Sequence, residues 1–155
     1  MSRDLLVIGN WKMYKTREEA LDYIKKLAEK LKGTSNEVVL AVPFTILHSA
    51  ANAVKKTPEI KISAQNMNDA KEGAFTGEIA AKMLTDAGAH YVILGHSERR
   101  RYFGETNDFI NHKVKRALKE GLIPILCIGE SKEENESGQR EEVLRAQILE
   151  GLAEV

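Results

Sequence analysis

The sequence predicts an α/β fold in which helices cover a parallel β-sheet. Five short aliphatic segments alternate along the chain with longer segments whose apolar residues recur at helical spacing. Most connections between these segments are short, as they are in consecutive β/α units. Of the 155 residues, 43% are hydrophobic and 30% are charged, a composition typical of a globular protein with a substantial core.

The five aliphatic segments are predicted to be strands of one sheet. The first consists of four consecutive aliphatic residues and is therefore expected to be buried on both faces. The predicted strands are Leu5–Ile8, Val38–Val42, Ile60–Ala64, Tyr91–Leu94 and Leu122–Ile128.

The segments between the strands carry helix signals. Thr16 and Glu19 form a capping-box pattern ahead of an apolar stripe that ends before Gly33. Thr106 is the expected N-cap of a later helix that ends near Gly121. Further helices are expected over Ile46–Val54, Ile79–Ala87 and Val143–Leu152.

Two connections are longer than the others. Gln65–Glu78 is a polar, glycine-containing loop, and Glu130–Gln139 is interpreted as a charged linker. Neither resembles a boundary between domains, so residues 1–155 are expected to form a single domain. Two architectures fit this pattern. One is an open, doubly wound five-stranded parallel sheet, which suits the length, and the other is part of an eight-fold β/α barrel.

Composition excludes several classes of function. The 23 basic and 23 acidic residues balance, so no overall positive field attracts nucleic acid or an anionic membrane. One cysteine and four scattered histidines make no metal-ligand cluster. No segment is long and apolar enough for a signal peptide or a membrane span, and the expected location is cytoplasmic.

Polar side chains follow four of the predicted strands, where the strands end. Because ligands bind at the carboxyl ends of parallel strands, these positions predict the functional site. The candidates are Asn10 and Lys12 after the first strand, Gln65 and Asn66 after the third, His96, Ser97 and Glu98 after the fourth, and Glu130 after the fifth.

His96 is the most informative candidate because it lies beside a predicted helix start, with Ser97 as a possible N-cap. The partial positive charge of a helix N-terminus disfavours imidazolium, so a neutral ring that donates an N–H to a carbonyl is expected. The alternative to a functional role is a core histidine whose ring nitrogens both have hydrogen-bond partners within the fold. Glu98 either balances Lys12 or favours the first helical turn.

Five motifs resemble the triosephosphate isomerase family, in the order and between the elements that the family uses. Neutral histidine is a well-known feature of that family, so the expectation for His96 is not independent of the resemblance. The resemblance implies a partial (β/α)8 TIM barrel of five parallel β/α units, within one incomplete domain over residues 1–155. The motifs are Gly9–Met13, Gly73–Glu78, Leu94–Arg100, Phe103–Thr106 and Cys127–Glu130.

The resemblance also implies roles for the candidate residues in interconverting dihydroxyacetone phosphate and glyceraldehyde 3-phosphate. His96 would polarise the substrate carbonyl and move protons among the substrate oxygens. Lys12 would neutralise the enediolate and the phosphate, and Asn10 would orient substrate oxygens. Glu98 would be the partner of Lys12, and Ser97 would support the helix start. No cofactor and no metal belong to this chemistry.

The family's dimer arm resembles the Gln65–Glu78 loop. Thr76 at its tip would reach toward the partner's active site near Asn10 and Tyr14, with Gln65 and Asn66 at the base of the arm. A homodimer is therefore expected of the complete enzyme.

The family's general base has no counterpart here. It is a glutamate after strand six, in a segment similar to Tyr-Glu-Pro-Val-Trp-Ala, and the sequence ends at Val155, about where that strand should start. We expect an isomerase portion that is inactive alone and that a complementary C-terminal segment could complete. The alternatives are a non-catalytic, self-associating α/β fragment with at most residual anion affinity, and an independent open-sheet domain that binds another phosphorylated ligand.

Overall fold

The computed structural model describes residues 5–155 and contains one five-stranded sheet in which every neighbouring pair is parallel. The strands are β1 (Leu6–Asn10), β2 (Glu37–Ala41), β3 (Ile60–Ala64), β4 (Tyr91–Leu94) and β5 (Ile123–Leu126). The helices are α1 (Arg17–Lys30), α2 (Phe44–Ala53), α3 (Ala81–Asp86), α4 (Ser97–Phe103), α5 (Asn107–Lys119), α6 (Lys132–Glu136) and α7 (Arg140–Gly151).

The strand order β1-β2-β3-β4-β5 separates the two predicted architectures. A doubly wound sheet reverses its winding direction once, which places helices on both faces. Here each crossover moves one strand further in the same direction, and right-handed crossovers of that kind leave all helices on one face. The open doubly wound alternative is therefore wrong, because the strand order contains no reversal.

The sheet is buried on both faces at its centre. In β2, Leu40 belongs to the core cluster shared with the helices, whereas Val39 and Ala41 point to the opposite face and are also buried. Ser63 of β3 is likewise buried on that opposite face. Side chains alternate between faces along a strand, so burial of both sets indicates a sheet that curls around its concave face.

The edges of the sheet differ from the expectation. Leu5–Ile8 was expected to be fully buried, but these residues are 39–60% exposed. The reason is that β1 is an edge strand, which among residues 5–155 pairs only with β2, so its faces are less covered than those at the centre of the sheet. Ile123 of β5, at the other edge, is also exposed.

Helix signals were mostly confirmed. Thr16 and Glu19 make both bonds of the capping box at α1, and the Thr106 side chain accepts from the Phe109 N–H at the start of α5. Two expectations were wrong. The Glu130–Gln139 linker contains α6, because Ser131 and Glu134 form a second capping box. The helix expected over Ile79–Ala87 is confined to α3, because the preceding backbone is extended at Ala80.

Candidate active site

Asn10 ends β1 on the concave face of the sheet. It pairs in register with Ala41, and Ala41 with Ser63, so the three residues share that face across three strands. The side-chain oxygen of Asn10 accepts a hydrogen bond from the backbone N–H of Lys12 at 3.0 Å. Asn10 therefore fixes the direction in which the chain leaves the sheet.

Lys12 adopts a left-handed backbone conformation, with φ of 51°. That region costs a residue with a Cβ about 1–2 kcal/mol, so the surrounding structure must hold it there. Asn10 binds its N–H, and the Gln65 side-chain amide donates to its carbonyl oxygen at 2.9 Å. Gln65 also donates to the carbonyl oxygen of Ala41 at 3.0 Å, which anchors the Lys12 turn to the end of β2.

The Lys12 ammonium group donates to Glu98 Oε1 at 2.8 Å. The two residues follow β1 and β4, which lie three strand spacings apart, or about 14 Å in a flat sheet. Curling of the sheet and the length of both side chains bring the charges together. The hydrogen bond to Glu98 raises the pKa of Lys12, and the same bond lowers the pKa of Glu98. Both groups are therefore charged at neutral pH.

His96 is the N-cap of α4, and its Nδ1 accepts a hydrogen bond from the backbone N–H of Glu98 at 3.2 Å. Ser97, the expected N-cap, is instead the first residue of the helix. That expectation was wrong because the imidazole supplies the acceptor that a serine hydroxyl usually provides. A nitrogen that accepts carries no proton, so the proton of the neutral ring is on Nε2.

Glu98 connects the two halves of this cluster, because its carboxylate binds Lys12 and its backbone N–H donates to His96 Nδ1. One oxygen binds Lys12, and the other lies 3.4 Å from His96 Nδ1. The side chains of Lys12 and Glu98 are about half exposed, and that of His96 is 21% exposed. The cluster therefore offers a cation and an N–H donor at a solvent-accessible edge of the sheet. Such an arrangement can bind an anion and polarise a carbonyl group.

The four residues expected to contribute to a dimer contact, in the arm and at the site that it reaches, divide into two pairs. Gln65 holds the Lys12 turn of its own chain, and Asn66 is buried, accepting from the ammonium group of Lys113 at 3.0 Å. Thr76 and Tyr14 are exposed. The contribution of all four to a dimer stays a prediction.

Sequence reasoning missed the intrachain role of Gln65. A glutamine that directly follows a strand was a signal for the site, but nothing in the sequence shows that its amide would reach the loop after β1. Among residues 5–155 no three histidine, cysteine, aspartate or glutamate side chains converge as a metal site requires, and no helix could cross a membrane.

Comparisons with known proteins agree with this geometry. A family model described as triosephosphate isomerase matches residues 5–155. Triosephosphate isomerases of Protochlamydia amoebophila and Dictyoglomus thermophilum are 50% and 52% identical to the chain, each over 97% of its length. The chain spans 57% of the first relative and 60% of the second.

A crystal structure of triosephosphate isomerase from Bartonella henselae has the same arrangement of strands and helices. The TM-score is 0.90 at 35% identity, over 97% of this chain and 62% of that one. The five β/α units therefore correspond to part of a TIM barrel, and the chain belongs to the triosephosphate isomerase family.

Proposed function

We propose that this chain supplies the substrate-binding and carbonyl-polarising half of a triosephosphate isomerase. The reaction interconverts dihydroxyacetone phosphate and D-glyceraldehyde 3-phosphate, a step of glycolysis and gluconeogenesis, and its expected place is the cytoplasm. The observation that carries the proposal is the Lys12–Glu98–His96 cluster, in which one residue holds a cation through its carboxylate and an Nε2–H donor through its backbone N–H.

The contacts of each residue in the cluster support the role proposed for it. When a base removes a proton from the substrate carbon, negative charge develops on the carbonyl oxygen, and the His96 Nε2–H donates a hydrogen bond to it. The Lys12 cation stabilises the enediolate and the phosphate group. Glu98 keeps Lys12 charged and oriented, and Asn10 fixes the Lys12 turn. Asn10 would also orient the substrate oxygens. Ser97 supports the helix start that carries His96.

The base must come from outside these 155 residues. The family resemblance implies a glutamate after a sixth strand, and no segment of the sequence matches the expected motif. Either a continuation of the same polypeptide or a second chain could supply it. Loss of a general base alone costs roughly 10²–10⁴ in rate, so residues 1–155 by themselves are expected to be inactive.

The edges of the sheet support a complementary segment. Within residues 5–155, β1 and β5 each lack a neighbouring strand on one side, and both expose aliphatic side chains. Unpaired strands with exposed apolar residues associate readily. Three further β/α units would pair with both edges and close the barrel. The exposed Thr76 and Tyr14 remain available for a homodimer of the complete enzyme.

Complementation tests the proposal. The purified chain is assayed for isomerase activity alone and after mixing with a polypeptide that carries strands six to eight of a relative. We expect no activity above background alone and measurable turnover in the mixture. Lys12→Ala and His96→Ala should abolish the rescue. Lys26→Ala, which changes an exposed lysine of α1, should leave it unchanged.

Two results would overturn the proposal. Robust activity of the chain alone would mean that one of its own carboxylates acts as the base. Rescue that survives both Lys12→Ala and His96→Ala would reduce the chain to a scaffold. The alternative of a self-associating fragment is tested by light scattering, which measures the oligomeric state of the unmixed chain. The open edges of the sheet favour oligomers.

A further inference from the structure

Arg100 lies on α4, four residues after His96, and its guanidinium group binds three different parts of the fold. Nε donates to the carbonyl oxygen of Gly95 at 2.8 Å, and Nη2 donates to the carbonyl oxygen of Cys127 at 3.3 Å. Nη1 donates to Asn107 Oδ1 at the start of α5. One side chain thus connects the turn before His96, the loop after β5 and the next helix.

These acceptors are all uncharged. Arg99 forms an ion pair with Glu105 and Arg116 with Glu120, but no carboxylate of residues 5–155 forms an ion pair with Arg100. The guanidinium group is partly buried, and this loss of hydration lowers the pKa of Arg100. Solvation of a surface charge does not account for an arginine that is partly buried and has no carboxylate partner. Its planar fork of donors instead suits several fixed carbonyl groups at once.

The turn at Gly95 packs directly against this guanidinium group. Gly95 has φ of 68°, a conformation that favours glycine. A Cβ there would lie 3.0 Å from Arg100 Nη2 and 2.9 Å from Ile110 Cδ1. The backbone immediately before His96 is therefore held by close packing against Ile110 and Arg100 and by the hydrogen bond from Arg100 to the Gly95 carbonyl.

We propose that Arg100 is a positioning residue for His96. By fixing the Gly95 carbonyl against the loop after β5, it sets the orientation in which the imidazole caps α4 and presents Nε2–H to the concave face. The inference rests on the proposed function only for the use to which that N–H is put. The positioning itself is a property of this chain and can be measured without catalysis.

The experiment compares ¹⁵N-labelled wild-type chain with Arg100→Gln by NMR. Two signals report on the hydrogen bond between His96 Nδ1 and the Glu98 amide. One is the ¹⁵N resonance of His96 Nδ1, expected at the position of an unprotonated acceptor, and the other is the exchange rate of the Glu98 amide. In Arg100→Gln we expect about tenfold faster exchange of that amide, the effect of losing one hydrogen bond, and a mixture of imidazole tautomers. Arg100→Lys retains the charge but not the fork, and should give an intermediate result.

Arg101→Gln is the matched control, because Arg101 is on the same helix and is exposed. It should leave both signals unchanged. If Arg100→Gln does not fold, as judged by circular dichroism, Asn107→Ala replaces it. That variant removes one acceptor of Arg100 and leaves the Thr106 cap of α5 in place, so a smaller change in the same direction is expected.

A folded Arg100→Gln chain, or Asn107→Ala in its place, with wild-type His96 and Glu98 signals would overturn the inference. In the complemented enzyme, Arg100→Gln should lower kcat while KM changes little, because binding through Lys12 is retained. Absence of turnover in the unmodified mixture would contradict the proposed function but not the positioning role.

Discussion

Lys113 and Glu105 form an ion pair in which both side chains are at least 97% buried. Breaking this pair is the strongest test of what stabilises the fold. Lys113 Nζ donates to Glu105 Oε1 at 2.6 Å and to Asn66 Oδ1 at 3.0 Å. Arg99 donates to the same carboxylate oxygen at 2.6 Å. Burial alone would raise the pKa of Glu105, but the hydrogen bonds from Lys113 and Arg99 hold it below its ordinary value.

Lys113→Met keeps most of the buried side-chain volume and removes the charge. Breaking a buried pair from one side costs about 3–5 kcal/mol, because the remaining charge loses its partner without regaining water. Arg99 stays in contact with Glu105, and its side chain is only 27% exposed. The expected loss of unfolding free energy is therefore at the lower end, about 3 kcal/mol, measured by urea denaturation at pH 7.

Lys115→Met is the matched control. Lys115 lies two residues further along α5 and pairs with Glu154 at 3.1 Å, but the Glu154 side chain is 88% exposed. An exposed pair contributes about 0–1 kcal/mol, so the same substitution should cost far less here.

The pH dependence of the Lys113→Met effect has a definite sign. The folded-state pKa of Glu105 is lowered, so its stabilisation is present above the ordinary carboxyl value of 4.5 and is lost as the pH falls through the lower folded value. The difference between wild type and Lys113→Met should shrink over that range. Equal costs for the two methionine variants at pH 7, or a difference that grows on acidification, would refute the reasoning.

Two further predictions concern Tyr91 and a pair of glycines. A hydrogen bond to Glu37 raises the pKa of Tyr91 to about 12, so its stabilisation is present below pH 10 and is lost as the pH rises through about 12. Phenolate absorbance should show a late step that Tyr91→Phe removes, and a step that persists would contradict the contact. Gly104→Ala should cost about 1–2 kcal/mol for its φ of 65° alone. Gly95→Ala should cost about 1–3 kcal/mol more, because its Cβ would also collide with Ile110, and equal costs in urea denaturation would disprove that packing.

Local features of the fold could be predicted from the sequence because their causes are local. Thr16 and Glu19 are three residues apart, and the capping box they form needs nothing else. The same signal at Ser131 and Glu134 was present in the sequence, although the segment's high charge favoured interpretation as a linker. The exposure of Leu5–Ile8 could not be predicted in this way, because an aliphatic strand has the same sequence pattern at the edge of a sheet as at its centre.

The architecture depends on information that periodicity does not contain. Each β/α unit specifies a strand and a helix but not the side on which the next strand is added. The structure resolves this by adding every strand in one direction, from β1 to β5. In the sequence, the motifs that resemble the family favour the barrel, whereas the length of the chain favours the open sheet.

Candidate residues for the site could be named from the sequence, but the contacts that support them could not. Lys12, His96 and Glu98 stand in recognisable motifs, whereas Gln65 and Arg100 act through backbone carbonyl groups that no motif identifies. These supporting bonds matter because the left-handed turn at Lys12 is intrinsically unfavourable.

The division of the site along the sequence has a mechanistic consequence. The cation and the N–H donor come from loops that are three strands apart, and the bond between Lys12 and Glu98 forms within residues 5–155. The supports at Asn10 and Gln65 also belong to this part of the chain. The groups that we propose to stabilise an enediolate thus already contact one another within residues 5–155, without the rest of a barrel. A segment that completes the barrel would need to add the carbon base and exclude water, and it would not need to organise the electrophilic half.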